Sequence, residues 1–525
     1  MLHNTKCLYL HRVFHGIRFK VNNGNWLSVR MAFFCALKFA TFALVYLYLI
    51  YNIMRNWRFY AGLAGMALTL GMGSPLNAGN HGRVTVHENQ RFLRYEDGTP
   101  FFYLGDTAWE LFHRLNEDEA RMYLSDRARK GYTVIQAVVL GELDGLRVPN
   151  ANGDRPFLDE GYSEPNERYF RHVDRLIDMA DSLGLVVGLL PTWGDKINKA
   201  WGVGPVIFTD EAKAERYGRF LGERYRDREN IIWILGGDRD FTGYEAIVRA
   251  MARGVATGVG GGRPDYSKCL MTVHPCGGLS SSKWFHDDEW LDFNMQQNGH
   301  CYESDSWQKI DADYRRKPTK PVLDGEPLYD EHPICFDREK HDTSTDFHTR
   351  RYFYHEIFSG AFGHTQGCHA IWQMWAPGRE PVNGPLRPWY ESIGLAASYQ
   401  MGYGRALMES RPFFSRIPAP ELLSGQELGE PRRFSATRDE AGTYAMIYSE
   451  FGEPFSVDLS LLSGQEIQAW WFDVRSGKAF SAGYFPREGV KRFVPPTSGR
   501  GNDWVLVLDD RAKGYSAPGT SGSGM

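Results

Sequence analysis

The sequence predicts an α/β chain, a (β/α)8 TIM barrel followed by a small all-β sandwich domain, on three observations. From Phe101 to Trp375, short apolar runs ending in polar or glycine residues alternate with amphipathic helical stretches, the pattern of a parallel sheet. There are eight such runs over about 300 residues, more than a doubly wound sheet usually holds. Beyond about Arg411 the helical period gives way to short segments divided by turns, an all-β texture.

The eight strands are expected at 101–106, 133–139, 185–191, 230–236, 269–274, 291–297, 321–326 and 369–375. One connecting unit reads clearly. Asn116 with Glu119 three residues on makes a capping-box start, the helix runs to Lys130, and Gly131 stops it before strand two. The helix from Glu167 to Leu183 places Phe170, Val173, Ile177 and Ala180 on one face and ends at Gly184. Gly258 to Gly262 precedes a strand instead of linking a strand to a helix, so it reads as a loop and not as a phosphate cradle. Strands of the last domain are expected at 433–437, 443–449, 455–459, 466–472, 492–494 and 504–508. The division is 79–410 for the barrel, 411–512 for the β-sandwich and 513–525 for a disordered tail.

Residues 1–78 read as an upstream extension and a signal peptide. Met54 opens the signal, with Arg55 and Arg58 before an apolar run from Phe59 to Met72 and small residues around Ser74 to Ala78. The true start is then Met54. The alternative is a membrane anchor over the apolar stretch 32–54. Either way the chain leaves the cytoplasm, to be secreted, periplasmic or at the cell surface, with no integral membrane role for the mature part. Seven cysteines leave at least one unpaired, and none sits in a C-x-x-C pair. Neither a zinc ribbon nor another metal set is supported, and no cofactor is expected.

The formal charge of -4 and the lack of a Lys/Arg-rich run exclude a nucleic-acid partner held by charge. The 15 Trp and 27 Tyr are the side chains that stack on flat apolar faces, sugar rings included. In such a barrel the chemistry lies at the C-terminal strand ends. Strand four ends in Gly237-Asp238 and strand seven in Gly325-Glu326, and the two acids are 88 residues apart, a span that three βα units of about 30 residues would cover. Paired carboxyls flanking one bond are what glycosidic cleavage needs. Asp240 and Asp324 are the competing assignments. The other strand ends supply Asp106 and Trp109, Gln136, Trp193, His274, Gln297 and His300, then Trp372 and Trp375, an aromatic and polar lining suited to a polyhydroxyl ligand. No G-x-S-x-G elbow follows a strand, so a serine nucleophile has little support.

Leu104–Phe112, Trp233–Asp238, Asp292–His300 and Leu323–Pro327, in that order, resemble the apiosidase-like glycoside hydrolases of family 140, first described as domain of unknown function 4038. The β-domain resembles the collagen-binding-type domain that accompanies them. The resemblance implies a secreted hydrolase of pectic side chains, cleaving apiose from galacturonic acid in rhamnogalacturonan II, with Asp238 as acid/base and Glu326 as nucleophile. Related barrel glycosidases carry Asn-Glu where Gly237-Asp238 stands, so the partner of the sugar 2-hydroxyl is missing and substrate is not inherited from that wider group. Another plant polysaccharide, or a non-catalytic glycan-binding or adhesion role centred on the β-domain, are the alternatives. The partner expected is an oligosaccharide or polysaccharide; the oligomeric state is not read from the sequence.

Overall fold

The computed structural model describes residues 81–302, 305–423 and 433–520. The signal segment and the apolar stretch before it lie outside the described residues. Eight parallel strands follow in order: β1 Leu104–Thr107, β2 Val134–Val138, β3 Val186–Leu190, β4 Ile231–Arg239, β5 Met271–Pro275, β6 Asn294–Gln297, β7 Val322–Glu326 and β8 His364–Gln366. They are buried on both sides because helices cover the outer face, which is why β3 and the first half of β4 read as unbroken apolar runs. The capping box forms as expected. Glu119 N donates to Asn116 Oδ1 at 3.0 Å and Asn116 N to Glu119 Oε2 at 3.1 Å, opening α1, Glu117–Arg129.

The ladder is a curled half-barrel of six strands, β8-β1-β2-β3-β4-β5, beside the separate parallel pair β6-β7. Single backbone bonds span the seams, from Asp292 N to Met271 O at 2.9 Å and from Phe362 N to Val322 O at 3.1 Å. One seam has a visible cause: Leu279–Ser280 pairs antiparallel with Gln296 and Gln297, occupying the edge of β6 that β5 would use.

The eighth strand departs from expectation. The apolar run at 369–375 is a helical turn, His369–Trp372, and the strand is the polar segment His364–Gln366 before it. Apolarity misleads here because these polar side chains meet buried partners, His364 Nδ1 with Glu356 Oε2 at 3.1 Å and Gln366 Oε1 with the Tyr132 hydroxyl. A small antiparallel sheet, Val84–Val86, Leu93–Tyr95 and Pro100–Phe101, precedes the barrel, where the sequence was read as a single strand from 101.

The C-terminal domain is a six-stranded antiparallel sheet with a two-stranded ribbon, not two comparable sheets. The sheet runs β9 Arg416–Pro418, β10 Phe434–Asp439, β11 Tyr444–Ser449, β16 Trp504–Asp510, β13 Glu466–Asp473 and β14 Lys478–Pro486; β12 Phe455–Asp458 and β15 Val490–Phe493 form the ribbon. Alternation on β11 explains the layering. Ala445 and Ile447 pack with Phe455, Val457 and Phe493 of the ribbon, while Tyr444, Met446 and Tyr448 join the core of the barrel. The second face is sealed by buried ion pairs from α2, Asp346–Phe358. Arg350 grips Asp503 at 2.7 and 2.8 Å, and Arg351 and His355 meet Glu450 at 2.9 and 3.0 Å. The tail expected to be disordered from 513 is ordered through Thr520, because Tyr515 lies under the Arg411 guanidinium and its hydroxyl sits 2.9 Å from Thr443 Oγ1.

Candidate active site

At the C-terminal ends of the strands lies a cavity of about 460 Å³, and both Asp238 and Glu326 line it. Each is aimed by a bulge. The β4-β5 register slips between Gly236 and Arg239, and the backbone there passes through φ of 86° at Gly236, 118° at Gly237 and 48° at Asp238. A Cβ on Gly237 would stand 2.9 Å from Gly194 N, so glycine is required for this turn. On β7 the register skips Gly325, pairing Gln297 with Glu326. The glycine before each acid is thus the residue that lets it turn into the cavity.

Asp238 accepts from Trp201 Nε1 at 3.2 Å and from Gln297 Nε2 at 3.1 Å. Burial, with the charge of Glu326 added to it, pushes its carboxyl up to about 6. Glu326 is set the other way. Burial alone would raise it, but His274 Nε2 at 3.1 Å and His300 Nε2 at 3.2 Å hold it well below the usual carboxylate range. His274 connects the two acids: Asp238 N donates to its Nδ1 at 3.2 Å, which places the ring proton on Nε2, toward Glu326.

Trp109, Trp193, Gln297, His300 and Trp372 also line the cavity, as expected. Trp109 Nε1 donates to Tyr329 Oη at 3.0 Å, and its ring lies 5.2 Å from Trp193 and 5.3 Å from His274. The other expected residues do not reach the cavity. Asp106 is buried beneath it, taking the Tyr123 hydroxyl at 2.6 Å and the Arg127 guanidinium. Gln136 Nε2 donates to Gly325 O at 3.0 Å and so braces the bulge from behind. His274 acts beneath the two acids, and Trp375 holds its own loop through Arg379 O at 3.1 Å. Because the expected strand 369–375 opens with the helical turn His369–Trp372, Trp375 falls outside the cleft.

Asp324 does not line the cavity. It is buried, accepts from Asn298 Nδ2 at 2.8 Å and from Glu326 N at 3.0 Å, and supports the strand end. Asp240 pairs with Lys283 at 2.9 Å near the surface. Glu142, Trp201, Tyr329, His332, Phe336 and Asn383 also line the cavity and are not among the residues that the sequence singles out. Of these, Glu142 had a readable signal, a carboxyl just past β2. Burial and the charge of Asp238 push it up to about 8. Among the described residues no group of His, Cys, Asp and Glu is arranged to hold a metal ion.

Residues 87–415 match the family model described as "Apiosidase-like, catalytic domain", and 417–509 match "Putative collagen-binding domain of a collagenase". A solved structure named "Glycoside hydrolase" is 35% identical with a TM-score of 0.74, covering 82% of this chain and 98% of its own. A glycoside hydrolase family 5 structure from Bacteroides vulgatus is 33% identical with a TM-score of 0.75, covering 84% and 96%. No curated protein matches the chain. With the catalytic-domain model spanning most of the chain and two acids of opposed ionisation in one cavity, the chain belongs to the apiosidase-like glycoside hydrolases.

Proposed function

We propose that this is a secreted, retaining glycoside hydrolase of pectic side chains, working on a closed (β/α)8 barrel and releasing apiose from galacturonic acid in rhamnogalacturonan II. In this reading Asp238 protonates the leaving oxygen, Glu326 attacks the anomeric carbon, and Asp238 then activates the water that frees the sugar. The observation that carries it is the split between the two acids. One keeps its proton up to about pH 6, and the other is held ionised by two imidazoles, the division of labour that acid and nucleophile require.

The cavity supports a compact neutral sugar as occupant. Among the described residues it is lined by aromatics and carboxyls with no Lys or Arg, so a uronate in the innermost position would meet like charge. Secretion is supported by the Cys301–Cys335 disulfide, which persists in oxidising compartments.

Incubation with a panel of pectic oligosaccharides, with the released reducing ends identified and their first-formed anomer read by proton NMR, tests the reading. Release of apiose with retained configuration is expected, and Glu326→Gln should abolish it. Inverted product would remove the nucleophile role from Glu326; release of a different sugar would replace the substrate. The full chain is the object to test. Removing residues after 410 would strip the shared core and remove Asp503 and Glu450, which pair with Arg350 and with Arg351 and His355.

A further inference from the structure

The Cys301–Cys335 disulfide joins the loop after β6 to the loop after β7, across the strand that ends in Glu326. On both sides of it the chain passes from one cavity to another. His300 and Phe336 line the catalytic cavity; the adjacent Cys301 and Cys335 line a second cavity of about 320 Å³, together with Tyr302, His348 and Arg500. The bond is therefore part of the wall between the two.

Beside Tyr329, whose ring lies 4.5 Å away, the contacts that fix the His300 ring come from that wall. Cys335 N donates to His300 O at 2.7 Å. The ring stacks on His332 at 4.1 Å and meets Phe336 edge-on at 5.4 Å, both from the loop that Cys335 closes. Behind it, the Tyr352 hydroxyl donates to Cys301 O at 2.7 Å. The ring's Nδ1 has no partner, so its position rests on these contacts and on Glu326 Oε1 at 3.2 Å.

We infer that Cys301 and Cys335 are positioning residues for catalysis: their disulfide holds His300 against Glu326, so that turnover depends on the oxidised form. The inference rests on the proposed nucleophile role of Glu326. Reduction would open the wall without touching the other described cysteines, Cys269, Cys276 and Cys368, which are already thiols. A dithiol such as dithiothreitol supplies two electrons and two protons to the pair, leaving two thiols and itself closing to a cyclic disulfide. Both half-buried sulfurs border the second cavity, through which it can approach.

The test compares the full chain, oxidised and treated with dithiothreitol, with Cys301→Ser/Cys335→Ser and with His300→Gln in both states. Far-UV circular dichroism checks the fold. Reduction is expected to lower kcat on the order of 10- to 100-fold, the effect of displacing a positioned group by about 1 Å, with KM little changed. The acidic limb of the pH profile should move upward as Glu326 loses the imidazole, and in His300→Gln reduction should add nothing. Titration of the Glu326 carboxyl by carbon NMR gives a readout independent of turnover, its midpoint rising on reduction. An unchanged midpoint and kcat in the folded, reduced protein would overturn the inference. A midpoint that rises in a protein inactive on every glycan would uphold the coupling and overturn the proposed reaction instead.

Discussion

Replacing Asp238 by Asn is expected to stabilise the protein at pH 8 while stopping turnover. The carboxyl stands at about 6 in the fold and near 3.9 in an unfolded chain. About two pKa units at 1.36 kcal/mol each make about 3 kcal/mol by which the ionised form is disfavoured in the native state. Asn keeps one acceptor oxygen, so either Trp201 Nε1 or Gln297 Nε2 loses its partner, a loss of about 1 kcal/mol. The φ of 48° at this position is one that Asn adopts as readily as Asp. The net gain is about 2 kcal/mol. Its sign follows the raised pKa. Below about pH 4 both states carry the proton and the penalty vanishes; it grows as pH rises toward 6 and is complete above that. Urea unfolding at pH 3.5 and pH 8 should therefore show the variant slightly less stable than the parent at the first and more stable at the second. Equal differences at both pH values would refute the reasoning, because the penalty would then not be the carboxylate's. Turnover of glycan should fall about 10²- to 10⁴-fold, the range of general-acid assistance. A dinitrophenyl glycoside, whose leaving group needs no proton, should recover the first step.

Other consequences follow from the same geometry. The alkaline limb of kcat/KM should fall near pH 6, where Asp238 loses its proton, leaving the optimum on the acidic side; a plateau reaching pH 8 would contradict the acid role. Asp503→Ala should destabilise the chain by about 3 kcal/mol, since it leaves Nε and Nη2 of the buried Arg350 without their carboxylate while Nη1 keeps Asp346 and Gln400, and calorimetry should show half-barrel and β-domain melting together through their common core. Asp106→Asn should lower stability by about 1.5–3 kcal/mol through its bonds to Tyr123 and Arg127. Its KM should not move, which separates bracing from sugar binding.

Much of this protein is legible without coordinates because its strands are short, apolar and closed by polar residues. Ile231 to Asp238 and Val322 to Glu326 announce both the strand and the acid at its end, and Asn116 with Glu119 announces a helix start that forms bond for bond. The strand that breaks this pattern is His364–Gln366, where His364 meets Glu356 on the preceding helix and Gln366 meets Tyr132 from far along the chain. Asp106 misled for the converse reason. A strand-end carboxyl reads alike whether it faces a sugar or an arginine, and Arg127 is one helix away.

What the sequence determined by itself is the kind of chemistry, two carboxyls at the ends of strands four and seven in an aromatic cleft, since residue type and local period are properties of adjacent positions. What the tertiary structure decided is how those carboxyls differ. Burial and the charge of Glu326 set Asp238 to hold its proton, while His274 and His300, from two other strand ends, hold Glu326 ionised. Ionisation depends on charges and burial within a few ångströms, and those neighbours are far apart along the chain.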